Sequence, residues 1–216
     1  MGAGTSHMTG NIARLGVNVA EHDYRAAIAA LALVFAFFLG AFSSSLILQS
    51  HDRPSPRSYA LALSLETLLL IAFMLLEGKT HGWLGARFAD SKASILCFAM
   101  GLQNSLVTFI SGARVRTTHL TGVVTDLGIE VARWFRWHRW VISNAAGLGR
   151  FGGTKMAPPE RANLLLHVTI IAAYLIGSVS GASLASIFLS RALAAPALAT
   201  LAAGLYAVRT ERRLRD

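Results

Sequence analysis

The feature that most constrains this chain is the length of its uncharged segments. The segment 26–50 contains 25 consecutive residues without Asp, Glu, Lys or Arg, and a helix needs about 20 apolar residues to cross the hydrocarbon core of a bilayer. Lipid offers the backbone no hydrogen-bond partner, so a helix is the form that such a segment takes there. Four further segments have the same character: 59–76, 93–113, 164–190 and 192–208. The sequence therefore predicts an all-α, polytopic membrane protein with five spans.

The composition supports this fold class and excludes several others. Hydrophobic residues make up 54% of the chain and charged residues 14%, whereas soluble domains carry about 25% charged residues. The single cysteine, Cys97, excludes an internal disulfide framework. A net charge of +9 in so apolar a chain is typical of basic cytoplasmic loops. No nucleic-acid motif accompanies this charge, so the expected partner is the lipid bilayer rather than a nucleic acid.

The distribution of basic residues predicts the orientation. When the chain is threaded through the five spans, 6 of its 20 Lys and Arg residues fall on one side and 14 on the other. The positive-inside rule makes the second side cytoplasmic, together with the C-terminus. The loop predicted at 133–161 is part of that side, and in it Trp134, Trp137 and Trp140 alternate with arginines. We interpret it as an interfacial aromatic belt; the alternative is a basic amphipathic element that binds anionic lipid or nucleic acid.

The sequence contains an internal repeat. Residues 7–20 match residues 119–132 at seven of fourteen positions, where average usage gives roughly one, and 39–44 resemble 176–181. The predicted repeats are 1–92 and 93–216. A span precedes His119 but none precedes His7, so we expect six spans in a complete chain, with about 20 further apolar residues encoded upstream of Met1. Three spans per repeat make the two halves inverted, as in many secondary transporters.

Each repeat carries a His-x-Thr-Gly turn followed by apolar residues at helical spacing. The pattern predicts two short half-helices of about ten residues, with Thr9 and Thr121 as N-caps. Such helix starts could bind an anion, and the histidines could exchange a proton; the alternative is a pair of interfacial turns in which His and Thr satisfy the backbone. The candidate pathway residues of the two turns are His7, Thr9, Gly10, Asn11, His119, Thr121 and Gly122.

Polar residues within the predicted spans are further candidates. Glu66 is the only charge in its span, and an intramembrane carboxylate suggests a binding or proton-coupling site. Gln103 and Asn104 offer amide groups to a solute. For all three the alternative is a structural hydrogen bond to a neighbouring helix.

Small residues in two spans indicate close helix packing. The predicted packing positions are Gly40, Ser44, Gly177 and Gly181. The segment Ser178–Gly181 also approaches the Gly-x-Ser-Gly of intramembrane serine proteases, but its first glycine is absent and no histidine follows to act as a base. The sequence contains no phosphate loop, metal cluster or dinucleotide fingerprint. We therefore expect neither an enzyme nor a cofactor or metal.

Three segments together point to a known family. The sequences at 6–11, 101–105 and 115–122 resemble the hallmark blocks of the YoaK-like family of bacterial inner-membrane proteins (domain of unknown function 1275). The resemblance extends over nearly the whole chain. It implies six spans, with an opening helix ahead of the first block, and location in the inner membrane.

The inverted repeat and the intramembrane polar residues favour a small-solute transporter or permease, with a small molecule or ion as its substrate. The alternative is a non-transporting membrane scaffold or regulatory protein, because no residue pattern identifies a substrate.

The orientation can be tested directly. A reporter fused to the C-terminus should lie in the cytoplasm, because the side with more Lys and Arg stays inside. A cysteine introduced by Arg53→Cys should be shielded from reagents that do not cross the membrane. A reporter located outside the cell, together with external labelling of the cysteine at position 53, would mean that the chain has the opposite orientation.

Overall fold

The computed structural model describes residues 7–49, 55–79, 89–112, 120–145 and 157–215. In these ranges the regular structure is helical, and a 3-10 segment follows the sixth α-helix. The elements in chain order are α1 (Met8–Ala20), α2 (Tyr24–Leu48), α3 (Pro56–Lys79), α4 (Ala89–Ile110), α5 (Leu120–Ala145), α6 (Arg161–Phe188), the 3-10 segment (Leu189–Leu193) and α7 (Ala194–Arg215).

The five predicted spans are confirmed as helices. The helices α2, α3, α4, α6 and α7 each contain a stretch long and apolar enough to cross a membrane. The bounds of these apolar stretches lie within three residues of the predicted spans. The tight connection predicted around Arg191 is the 3-10 segment, which begins with Leu189 in the left-handed region at φ 48°.

A short turn joins α1 to α2. His22 reverses the chain direction with a left-handed φ of 60°. The carboxylate of Asp23 then accepts a hydrogen bond from the backbone N–H of Ala26 at 3.0 Å and caps α2. This satisfies one of the N–H groups that a helix start leaves without a partner.

Among the described helices, α2 and α4 approach each other most closely. Gly40 of α2 faces the backbone of α4, and Gly101 of α4 faces the backbone of α2. A Cβ added at Gly40 would lie 2.8 Å from the carbonyl carbon of Phe98, and one added at Gly101 would lie 2.8 Å from that of Phe37. Only glycine permits this approach. One turn further on, the hydroxyls of Ser45 and Ser105 share a hydrogen bond of 3.0 Å.

A hydrogen bond between spans also joins α3 and α7. The hydroxyls of Thr67 and Thr200 lie 2.8 Å apart, and both residues are buried. Further along the contact, Gly204 of α7 faces Ala60 of α3. Residue numbers rise along α7 while they fall along α3, so the two helices are antiparallel.

A small apolar core joins α2, α3 and α4. It consists of Leu48, Ala62, Leu102 and Leu106, each at most 2% exposed. In this core the last residue of α2, Leu48, meets the second turn of α3 at Ala62.

Two details of the predicted half-helices are wrong. The first half-helix exists, as the 13-residue α1, but it begins at Met8 with His7 rather than Thr9 as its N-cap. The second is part of a continuous 26-residue helix, α5. Residues 133–145, predicted as loop, belong to that helix. Their many arginines lower the hydropathy, but arginine is a good helix former.

The chain divides into two compact units. One comprises Met1–Thr118 with Leu184–Asp216, and the other His119–Ser183. The predicted repeats, 1–92 and 93–216, rest on internal similarity and stay a prediction.

The packing predicted at Gly177 and Gly181 has no partner in the described part of the chain. A Cβ added at either position meets nothing within 4 Å, and α6 contains no buried residue. At Gly40 and Ser44, by contrast, both residues are buried.

The glycine contact generates a stability prediction. Gly101→Ala should lower the free energy of unfolding in detergent by about 1–3 kcal/mol, the usual cost of overpacking, because its methyl group would overlap the backbone of α2. Thermal unfolding measures this.

Gly177→Ala is the matched control, since its methyl group would enter open space and Ala favours a helix over Gly by about 1 kcal/mol. It should leave stability unchanged or raise it. An equal loss in both variants would contradict the close contact.

Candidate functional site

A buried carboxylate lies in the middle of α3. Glu66 is 3% exposed, and its Oε2 atom has no hydrogen-bond partner among the residues that the structure describes. Among the described residues no Lys, Arg or His forms an ion pair with it. A buried charge without a partner is costly, so this position is not explained by stability.

The helices around Glu66 bring a second polar atom to the same depth. Leu48 of α2 and Ala62 of α3 belong to one core cluster, and the two helices run in opposite directions from the connection between them. One turn further from that connection lie Ser44 on α2 and Glu66 on α3. Ser44 is 0% exposed, and in the described part of the chain its Oγ also lacks a hydrogen-bond partner.

Sequence reasoning predicted Ser44 as a packing residue only. Its small size does suit the contact with α4, but its unpaired hydroxyl could not be predicted, because pairing depends on the neighbouring helices. Ser44 and Glu66 thus each carry a buried oxygen without a hydrogen-bond partner among the described residues, and a proton, a water molecule or a cation could satisfy such an oxygen.

The amides predicted on α4 are half-buried. Gln103 and Asn104 are both partly exposed, and Asn104 already has an interaction partner. Its backbone carbonyl also accepts a hydrogen bond from the Thr108 hydroxyl at 2.7 Å. The buried polar residue of this stretch is instead Ser105, which pairs with Ser45.

The first His-x-Thr-Gly turn has a clear local function. The Nδ1 atom of His7 accepts a hydrogen bond from the backbone N–H of Gly10 at 3.1 Å, so the imidazole takes the capping role predicted for Thr9. A Cβ at Gly10 would lie 2.7 Å from that Nδ1, which explains the glycine. Thr9 is exposed, whereas Asn11 is 1% exposed and has a partner.

The second turn is described only in part. His119 lies outside the described residues. Thr121 is exposed and Gly122 partly exposed, in the first turn of α5. The backbone carbonyl of Thr121 accepts a hydrogen bond from the Thr125 hydroxyl at 2.9 Å. Thr9 and Thr121 are each the second residue of their helix, so the two turns correspond in position.

A pocket that the sequence did not predict lies between α1 and α2. Arg14 and Arg25 line it with Asp23 and a few alanines. Its volume is about 230 Å³, below the roughly 300–1,000 Å³ of small-molecule sites. The Asp23 carboxylate there also caps α2, which gives this corner a structural role.

Comparison with known families assigns the chain to one of them. Residues 1–206 match the family described as "Protein of unknown function (DUF1275)". The chain belongs to this family. The resemblance of the three sequence blocks is thereby confirmed.

A curated relative supports the membrane assignment. The chain is 36% identical over 87 residues to "UPF0700 transmembrane protein RA0705" of Rhizobium meliloti (strain 1021). The aligned segment covers 38% of this chain and 39% of the relative. No solved structure matches the chain. With five apolar helices, these findings indicate a multi-pass membrane protein.

Neighbouring residues on α3 give a test with opposite signs. Glu66→Leu should raise the free energy of unfolding in detergent by about 1–3 kcal/mol, because it removes a buried polar group that lacks a partner. Thr67→Val should lower it by about 0.6–1.7 kcal/mol, because it breaks the hydrogen bond to Thr200. Thermal unfolding of both variants measures the difference. Loss of stability in Glu66→Leu would mean that the carboxylate is a structural partner.

Proposed function

We propose that this protein is a small-solute transporter or permease of the bacterial inner membrane, with its C-terminus in the cytoplasm and no enzymatic activity. The observation that carries the proposal is the Glu66 carboxylate, buried within a span and lacking a hydrogen-bond partner at Oε2. Intramembrane carboxylates are expensive and mark ion or proton pathways.

In this proposal Glu66 and Ser44 hold the coupling proton or cation. The carboxylate supplies the negative charge, and the hydroxyl of Ser44 supplies a second oxygen at the same depth. A bound proton or cation removes the cost of the unpaired charge, so the loaded and empty states differ in stability. Binding then shifts the conformational equilibrium towards the state that holds the proton or cation more tightly.

The inverted repeat is part of the same proposal. In the predicted alignment α3 and α7 are the closing spans of the two repeats, and an inverted repeat requires equivalent spans to run in opposite directions. Their antiparallel contact at Thr67 and Thr200 supports this. So does the start of α1 and α5 at equivalent residues, Met8 and Leu120.

The second candidate function is a membrane scaffold or regulator. The observation that favours it is α6, a 28-residue span without a buried residue. Its open glycines, Gly177 and Gly181, suit the close approach of a further helix.

A flux assay tests the transporter. The protein is reconstituted in vesicles that contain a pH-sensitive dye, and proton and sodium gradients are imposed together with metabolites that stabilise the protein in a thermal-shift screen. Glu66→Gln should reduce gradient-driven flux to the level of protein-free vesicles, because the amide keeps the size of the side chain but cannot carry the charge.

Asp126→Asn is the control, since it removes an exposed carboxylate outside the spans; it should leave flux unchanged. Flux that persists in a folded Glu66→Gln variant would exclude the coupling role. If the wild-type protein gives no flux and no metabolite stabilises it, the scaffold is the better proposal.

A further inference from the structure

The second half of α5 carries two exposed stripes of different character. Arg133, Arg136 and Arg139 are exposed along one side. A second side exposes Val131 by 52%, Phe135 by 65% and Ile142 by 56%. These positions recur at helical spacing, so the helix is amphipathic although it is not among the spans.

The contact with α6 locates this segment relative to the bilayer. Arg161 is the first residue of the α6 span, and its guanidinium carbon lies 5.8 Å from the centroid of the Trp134 ring. Trp134 in turn packs edge-on against Trp137, with centroids 5.6 Å apart. The aromatic residues of α5 therefore lie at the end of a span, the level of the membrane–water interface, where Trp and Arg are common.

The arginines differ in the charge they leave available. Arg133 donates a hydrogen bond to the Glu130 carboxylate at 2.9 Å, so its charge is largely compensated. Arg139 lies over the Phe135 ring at 5.9 Å, a contact that retains the charge. Arg136 forms no ion pair in the described part of the chain. Two guanidinium groups thus remain for an external anion, and their planar donor pairs suit phosphate.

We propose that residues 131–142 of α5 form a docking surface for anionic phospholipid. The phosphates of the headgroups bind Arg136 and Arg139, while Phe135 and Ile142 contact the acyl chains below them. A nucleic acid would match the arginines but would leave the apolar stripe in water, whereas a lipid surface satisfies both. This proposal does not involve Glu66 and does not depend on transport.

Tryptophan fluorescence provides a local test. The chain has four tryptophans, and Trp83→Phe leaves only the three on α5. This variant is reconstituted in phosphatidylcholine vesicles that contain phosphatidylglycerol, with bromine on the acyl chains of one lipid or the other. Brominated phosphatidylglycerol should quench the fluorescence more than its share of the lipid predicts, and Arg136→Gln with Arg139→Gln should lower that enrichment about fivefold per arginine.

Two controls isolate the effect. Arg14→Gln with Arg25→Gln removes equal charge from exposed positions on α1 and α2 and should leave the enrichment unchanged. Arg136→Lys with Arg139→Lys keeps the charge and should retain most of it. Equal quenching by the two brominated lipids, or no quenching by either, would overturn the proposal, as would equal losses in the Arg14/Arg25 control.

Discussion

Helices in a bilayer gain nothing from burying apolar surface, because the surrounding lipid is as apolar as they are. Association therefore depends on close backbone approach and on hydrogen bonds. This chain uses both: the glycine contact holds α4 against α2, and the Thr67–Thr200 bond holds α7 against α3. The helix α3 also packs against the α2–α4 pair through the apolar core. The burial of Glu66 depends on these few contacts.

Two adjacent residues of α3 are therefore expected to affect stability in opposite directions: Thr67 stabilises the fold and Glu66 destabilises it. Thr67 is buried and fully partnered, while Glu66 is buried with an oxygen left unpaired. Natural proteins break local rules of packing and pairing mainly where function requires it. An unpaired carboxyl oxygen one residue from a stabilising contact breaks such a rule, and the transport proposal rests on this exception.

The spans could be predicted because lipid imposes one simple requirement, an apolar length, and segments such as 26–50 meet it visibly. The length of α5 could not be predicted from hydropathy, because the arginines and tryptophans of its second half lower the hydropathy. Only the periodicity of its residues indicates a helix there. The cap of α1 was assigned to Thr9 because threonine is the commoner capping residue, but the neighbouring glycine makes room for the imidazole of His7. Glu66 was predicted from its charge alone. The unpaired hydroxyl of Ser44 could not be predicted, because the side chains of neighbouring helices determine whether a hydroxyl has a hydrogen-bond partner.

The bond between Thr67 and Thr200 also has a consequence for biosynthesis. Its partners are 133 residues apart, so at about 5–20 residues per second the ribosome makes α7 roughly 7–27 s after α3. During this interval the α7-facing surface of α3 lies in lipid or against the insertion machinery. The Thr67 hydroxyl has a hydrogen-bond partner even before α7 is made, because it donates to the Leu63 carbonyl of its own helix at 2.8 Å. The late contact can therefore form last without leaving an unsatisfied group in the membrane while the chain is still being made.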